Sequence, residues 1–386
     1  MPSPQKITEH RRILHTIPEK RFEEHKTAEY ITSVMRSLGY TLKTGLAGTG
    51  ITAELDSGRP GPCLLFRADM DALPIWETQD IPYASKHPGW MHACGHDGHM
   101  AMLLGAAEAL KPAIHELRGK IRFLFQPAEE GTRGAARIVA CNVLDGVDMA
   151  FGMHLWPAVE HGRVGVREGP VMAAAKRFTI TIRGKSAHGS EPQTGIDALD
   201  AGCQVVNALQ RLVSRKQDPR LPTVLTVGEF HAGTAPNIIA DTAVLRGSAR
   251  TYDMETWNAW PQKIKRVVEN VAASMDATAE IEYEPDSPVL DNHPAATELA
   301  RKAAARCAGE ERVVEQPLFM ASEDFTEYST RVPSCFLFLG TGPSCGLHTP
   351  NFNFNEDVLA LGTELWCEIA LLGLDATTGG SLKKIK

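Results

Sequence analysis

Met91-His92-Ala93-Cys94-Gly95-His96-Asp97-Gly98-His99 sets a thiol, three imidazoles and a carboxylate side by side, with glycines between them. Metal coordination accounts for that density of donor types better than an ordinary polar loop does. Cys94 and His96 stand two apart, so in an extended segment both side chains would leave from one face. A thiolate and an imidazole held that way suit a borderline-soft divalent ion such as zinc.

Outward from this stretch, helix-like and strand-like segments alternate through roughly the first 170 residues, the mark of an α/β layer. Residues 21–38 read as a helix closed by Gly39. Residues 63–66 form a short apolar strand that delivers Asp69 and Asp71, and residues 98–110 form a helix behind the ligand loop. Residues 121–125 are a strand delivering Glu129 and Glu130, and residues 149–155 are a third strand carrying His154. From about residue 176 the pattern changes to half-exposed strands and long amphipathic helices in the order βαββαβ, a split ferredoxin-like sandwich. The α/β pattern then returns, with a strand at 335–339 and a helix at 356–372. The expected organisation is a discontinuous α/β domain, residues 1–175 and 291–386, with a second domain inserted at 176–290.

The chain of 386 residues carries a net charge of -7, which gives no support to a nucleic-acid or anionic-membrane surface; a small solute is the expected partner. No apolar run is long enough to span a bilayer, and the N-terminus lacks the apolar core of a signal peptide, so a cytoplasmic location is the default expectation. Eight cysteines in a chain this long are not a disulfide framework. Cys203 and Cys367 read as small core residues, while Cys345 lies close to His348. The small-residue and lysine tail at 377–384 reads as a frayed end.

Gln126-Pro127-Ala128-Glu129-Glu130-Gly131 presents adjacent carboxylates at a strand exit. In extended backbone neighbours point opposite ways, so one carboxylate can ligate a metal while the other faces substrate and water. Metal-assisted hydrolysis needs that division between an ion that acidifies water and a base that carries its proton. Taken alone, such a pair is ordinarily two solvated residues; after a buried strand, beside a ligand cluster, it is a candidate site. His154 and His348 each follow a strand, as do Cys94 and the glutamates, and α/β sites gather at the carboxyl ends of strands. Cys94, His96, Glu130, His154 and His348 are too many donors for one tetrahedral ion with an open position, so two ions sharing a ligand is the better count. Asp69 and Asp71 are expected to orient a ligand imidazole by accepting its remaining N–H. In the inserted region His188, Asn237 and Arg250 taken singly are ordinary surface residues.

Together these segments resemble the di-metal aminoacylase and carboxypeptidase family, in its amidohydrolase branch, which holds hippurate hydrolase, indole-3-acetyl-amino-acid hydrolase and N-acetyldiaminopimelate deacetylase. The matching pieces are FRADMDALP at 66–74, MHACGHDGHMAMLLGAA at 91–107, FQPAEEG at 125–131 and GMHLWP at 152–157. GKSAHGSEPQTGIDA at 184–198, TAPNIIAD at 234–241, ASEDF at 321–325 and LHTPNFNFNED at 347–357 continue in the family's order. The resemblance implies a two-domain metallopeptidase-like fold, a three-layer α/β/α catalytic domain with an inserted ferredoxin-like α+β lid that often mediates a homodimer or homotetramer. It implies Cys94, His96, Glu130, His154 and His348 as ligands, Cys94 bridging, for two divalent ions, Zn2+ or Mn2+ with Co2+ or Ni2+ also admissible. It further implies Glu129 as general acid/base, His188 as an oxyanion donor, frequently across a dimer interface, and Asn237 and Arg250 as contacts for the substrate carboxylate. Hippurate-hydrolase-like members more often read GHGAMPH followed by DP where this chain reads AHGSEPQTGIDA at 187–198, so the acyl and amino-acid preference does not transfer.

The expected activity is hydrolysis of an N-acyl amino acid to a carboxylate and a free amino acid. A dipeptidase or carboxypeptidase differs only in lid contacts and is the nearest alternative. A cysteine hydrolase built on Cys94 would leave the glutamate pair, His154 and His348 without a task. A metal- or ligand-binding protein without catalysis would have no use for Glu129.

Overall fold

The computed structural model describes residues 1–285, 287–343 and 345–374; the tail at 377–384 lies outside them. Its strands, in chain order, are β1 (Leu42–Leu46), β2 (Gly50–Asp56), β3 (Cys63–Asp69), β4 (Lys120–Gln126), β5 (Met149–Trp156), β6 (Val164–Gly165), β7 (Gly169–Met172), β8 (Ala174–Arg183), β9 (Thr223–Ala232), β10 (Thr242–Thr251), β11 (Thr278–Tyr283), β12 (Leu290–Asn292), β13 (Val313–Val314) and β14 (Ser334–Gly340). The chain divides into two compact units: Met1–Val171 with Asp291–Pro317 and everything from Asp324 onward, and Met172–Leu290 with Leu318–Glu323.

The first unit is built on an eight-stranded sheet of order β1-β2-β4-β3-β5-β14-β6-β13. Its centre is parallel: β3 runs with β4 and β5, and β14 with β5. Every residue of β3 and β14 is buried, so both faces are covered, as a parallel sheet requires. Alternation divides the faces. Leu64, Phe66 and Ala68 join the main apolar core, while Arg67 donates across the sheet to Gln126 Oε1 at 2.8 Å and to Asp69 Oδ2 at 2.8 Å. Asp324 accepts from Arg67 Nη2 at 3.0 Å and from Gln126 Nε2, which makes a buried ionic layer behind the carboxyl ends of β3 and β4.

The helix His96–Leu110 is buried on nearly all sides and packs against β3, β5 and the helices Pro4–His15 and Val358–Gly373. Its glycines explain themselves. Gly95 caps the helix at φ 88°, a left-handed conformation that costs glycine nothing. A Cβ on Gly98 would sit 2.5 Å from Leu155 Cδ1, so only glycine lets the first turn seat on β5.

Residues 21–38 depart from the expected helix: it begins only at His25. Phe22 adopts φ 63°, and its N–H is taken by the Glu24 carboxylate at 2.8 Å rather than by a helical carbonyl. A side-chain acceptor two residues on offers the backbone an alternative to the helix.

The second unit carries the expected βαββαβ order in an antiparallel sheet of order β11-β8-β10-β9. Its helices Ala198–Lys216 and Met254–Ala273 start at Asp197 and Asp253, whose carboxylates accept from backbone amides of the first turn. Val205, Leu209, Ile264 and Val268 bury against Phe178, Ile180, Ile182 and Leu245. Residues 318–323, which the sequence pattern left with the α/β part, group here because Ala173 N–H donates to Ala321 O at 2.9 Å and Arg250 to Met320 O at 2.6 Å. Cys203 corrects the sequence reading: it lies on the exposed face of its helix, whereas Cys367 is buried as expected.

Candidate metal centre

Because β3, β4, β5 and β14 are parallel neighbours, their carboxyl ends open on one edge of the sheet, and the donor residues of the first unit collect there. Neither pair of neighbouring donors lies in extended backbone, contrary to the sequence reading. Cys94 occupies a turn and His96 opens the helix, with the left-handed Gly95 between them. Glu129 and Glu130 sit in a tight turn entered through Ala128 at φ 57°, ψ 47°. A left-handed glycine sets the Cys94 and His96 pair, and a left-handed alanine brings together Glu129 and Glu130, which a strand would have splayed.

Two of the close donor groups share Cys94, and His96 recurs as well, with Asp69 and His99 and with Glu129 and Glu130. Cys94, His96 and His154 have ligand atoms within 4.8 Å of one another, and so do Cys94, Glu130 and His348. Cys94 Sγ is 3.4 Å from His154 Nε2 and 3.3 Å from His348 Nε2, and His348 Nε2 is 3.3 Å from Glu130 Oε1. Glu129 belongs to the same neighbourhood, its carboxylate within 4.8 Å of the donor atoms of His96 and Glu130.

Two of the imidazoles are turned by their other nitrogen, and the third is placed by its backbone. His154 Nδ1 donates to Leu155 O at 2.7 Å, and His96 Nδ1 donates to Asp71 O at 2.9 Å, leaving both Nε2 atoms facing the cluster. His348 holds a left-handed φ of 61°, and its backbone N–H donates to Ala93 O at 2.8 Å. Asp71 therefore does orient an imidazole, but through its carbonyl. Its carboxylate instead accepts the N–H groups of Glu129 and Glu130 at 2.9 and 3.0 Å. Asp69 accepts from His99 Nδ1 at 2.7 Å and stays 3.7 Å from His96 Nε2.

The other titratable residues of the stretch face elsewhere. Leu155 N–H donates to His99 Nε2 at 2.9 Å, so both ring nitrogens of His99 are engaged and it braces the sheet edge. Asp97 turns away from the cluster and accepts from Arg11 Nε and His15 Nδ1, each at 2.8 Å.

The electrostatics suit a cation. Burial opposes a charge on His96, yet Asp69, Asp71 and Glu130 outweigh it and lift the imidazole to about 10. A field that strong in a buried site is what a divalent ion would neutralise. Burial, then His99, hold His154 well below its ordinary value, so it is a neutral donor. Burial and the surrounding carboxylates, Glu130 first, push the Cys94 thiol up, the reverse of the environment that activates a nucleophilic cysteine. His96 Nε2 and Glu130 Oε1 are buried without hydrogen-bond partners, a costly state for polar atoms unless a ligand completes them. One sulfur, three imidazoles and a carboxylate thus form a donor set that would suit divalent ions.

In the second unit, His188 is exposed, pairs with Ile238 across an antiparallel bridge and is 2.7 Å from Ser190 Oγ through Nδ1. Gly189 N–H donates to Asn237 O at 2.7 Å, so the His188 and Asn237 segments lie together, next to the start of β10. Arg250 stands at the opposite end of that strand. Eight residues separate it from Thr242, roughly 26 Å at strand rise.

Several residues that hold the site went unrecognised in the sequence. Arg67 was hidden inside an apolar strand, although a lone arginine there is itself a signal of buried pairing. Glu24 read as the first turn of a helix, and Gln126 and Asp324 stood inside the FQPAEEG and ASEDF motifs with no role assigned to them.

A parallel sheet with such a donor cluster on its carboxyl edge, in a chain carrying an inserted ferredoxin-like unit, defines a hydrolase of metallopeptidase-like architecture. The chain belongs to peptidase family M20/M25/M40, whose profile matches residues 65–372. It is 39% identical over 366 residues to the N-acetyl-L-cysteine deacetylase of Bacillus subtilis, covering 95% of this chain and 88% of that protein. It is 44% identical over 275 residues to the N-acyl-L-amino acid amidohydrolase of Geobacillus stearothermophilus, covering 71% and 74%. Among solved structures, the YXEP protein of Bacillus subtilis, a dinuclear metal binding peptidase from the M20 family, superposes with a TM-score of 0.86 at 35% identity, covering 97% of this chain and 99% of that one.

Proposed function

We propose that this hydrolase cleaves the amide bond of N-acyl amino acids, with Glu129 as general base and Cys94, His96, Glu130, His154 and His348 holding two divalent ions. The observation that carries the reading is the membership of Cys94 in two donor groups, with the Glu129 carboxylate within 4.8 Å of a member of each, His96 and Glu130. Bound there, Zn2+ or Mn2+ supplies Lewis acidity, lowering the pKa of water and polarising a carbonyl oxygen. Glu129 takes the proton of the attacking water and passes it to the leaving nitrogen. Asp71 fixes the backbone from which Glu129 acts. His188 is the oxyanion donor, and Asn237 and Arg250 meet the substrate carboxylate.

One small substrate cannot touch both ends of β10, so His188 with Asn237 and Arg250 of one chain serve different sites. A homodimer satisfies this, each copy lending His188 and Asn237 to its partner. The outer strand β9 of the lid supports the same reading, with Val224 and Phe230 each 36% exposed on an unpaired edge. A cytoplasmic location belongs to this reading too: none of the eight cysteines is joined in a disulfide. No helix among the described residues is long and apolar enough to cross a membrane.

The test is release of free amino acid from a panel of N-acetyl, N-benzoyl and N-indoleacetyl amino acids alongside dipeptides, with Glu129→Gln as control. Turnover of the acyl amino acids, lost in Glu129→Gln at unchanged metal content, supports the proposal. Turnover of dipeptides alone makes the chain a dipeptidase, and full activity in Glu129→Gln refutes the base assignment.

A further inference from the structure

The turn that presents Glu129 is held by two buried carboxylates from different parts of the chain. Three consecutive amides point at them. Ala128 N–H donates to Glu24 Oε1 at 3.0 Å, Glu129 N–H to Asp71 Oδ1 at 2.9 Å, and Glu130 N–H to Asp71 Oδ2 at 3.0 Å. Ala128 is in the left-handed region, which an alanine occupies only where its surroundings over-determine it. Glu24 is fully buried, and its other contacts fix where it points. Oε1 also accepts from Phe22 N–H at 2.8 Å, and Oε2 accepts the Thr49 hydroxyl.

We infer that Glu24 is a positioning residue for Glu129. Asp71 sets the two glutamates relative to each other, and Glu24 fixes the preceding residue and so the direction in which the turn leaves β4. Without Glu24 the Ala128 amide loses the carboxylate that holds it, and alanine is drawn back toward its preferred right-handed or extended backbone. The turn then re-enters from β4 at a different angle and carries the Glu129 carboxylate off the reacting water, while Glu130, one residue further on and held by Arg21 Nη1 at its carbonyl (2.8 Å) as well as by Asp71, keeps its place. The partners of the Glu24 carboxylate are Phe22, Thr49 and Ala128, none of them a proposed ligand or catalytic group. This rests on Glu129 being the general base.

The test compares Glu24→Ala and Glu24→Gln in the metal-loaded enzyme, with Glu129→Gln as control, and adds amide hydrogen exchange on the metal-free protein. Glu24→Ala should lower kcat by about 10- to 100-fold, the range typical of a lost orienting partner, with KM within about threefold and metal content unchanged. Exchange at the Ala128 amide should rise by about tenfold or more while the β4 amides keep their protection. Glu24→Gln should stay within about threefold of wild type, because its amide oxygen still accepts both N–H groups and its NH2 donates to Thr49. Unchanged kcat in Glu24→Ala, joint loss of metal and kcat, or a Glu24→Gln variant as impaired as alanine would each overturn the inference. If the alanine variant does not fold, Glu24→Asp carries the test: its side chain is one methylene too short to reach Ala128, so undiminished kcat overturns the idea and reduced kcat at full metal content supports it. An active Glu129→Gln refutes the base assignment beneath it, whereas an inactive Glu129→Gln beside a fully active Glu24→Ala refutes the role of Glu24 alone.

Discussion

The thiol of Cys94 stands 3.3 Å from Nε2 of His348, a residue 254 positions later in the chain. The same sulfur is 3.4 Å from His154 Nε2, in the other donor group. A shared ligand and an unshared one should fail differently. Cys94→Ala removes a donor from both groups and is expected to bind less than one ion per chain. His348→Ala depletes one group only and should keep about one ion. Both should lose turnover by more than the roughly 100-fold that follows loss of a residue that merely orients a ligand. Elemental analysis of the dialysed proteins checks this, and equal metal content in the two variants would contradict the shared role of the thiol.

His99 sits in the ligand-rich stretch yet holds the protein rather than an ion. It ties the Asp69 carboxylate to the Leu155 amide, one residue beyond His154. Burial keeps it below the usual imidazole value, as its accepting Nε2 requires. His99→Phe leaves a buried carboxylate oxygen and a buried amide without partners, at a cost of about 1–3 kcal/mol each. Metal affinity should fall by about 10- to 100-fold through the displaced end of β5. Competition against a chelator measures it; an affinity equal to wild type would make His99 a bystander.

Much of this was readable because donor chemistry and strand ends are both local. Cys94, Glu130, His154 and His348 each declare themselves by residue type next to an apolar run, and parallel strands then bring their exits together. What could not be read is conformation imposed from a distance. Nothing local says that Ala128 turns left-handed, because its acceptor, Glu24, lies more than a hundred residues earlier. The sequence equally could not tell that Asp71 would use its carbonyl on His96 and its carboxylate on two amides. Cys203 failed for a related reason: an apolar neighbourhood in sequence does not tell which helix face a single small residue takes.

The helix Pro4–His15 docks through Arg11, whose guanidinium is fully buried. Its donors reach Asp97 Oδ2 at 2.8 Å, Glu356 Oε1 at 3.0 Å and Asn353 Oδ1 at 2.9 Å, and Tyr83 and Phe354 lie against its plane. Replacing it by methionine strands the buried Asp97 charge with His15 alone, and the expected cost is about 3–5 kcal/mol. Arg11→Lys should recover only part of this, since one ammonium cannot serve three acceptors spread over a planar fork. Urea unfolding measures both; a loss under about 1 kcal/mol for Arg11→Met would mean that this pair behaves like a surface one.

Glu24 also makes a pH signature. Burial lifts its carboxyl above the ordinary value of 4.5, against the pull of its Thr49 and backbone donors. With a folded pKa above the unfolded one, the native state binds the proton more tightly. The favourable contribution is therefore complete below about pH 4.5 and drains away as the pH rises through the folded value. Glutamine resembles the protonated form at every pH and has no such slope. Glu24→Gln should consequently gain on wild type as the pH climbs from 4.5 toward 8, while every other carboxylate shifts both proteins alike. Urea midpoints taken across that range measure the difference. A gap that stays constant, or that widens in favour of wild type at higher pH, would mean that Glu24 is held as a comfortable anion by its three donors, Phe22, Ala128 and Thr49, rather than strained by burial.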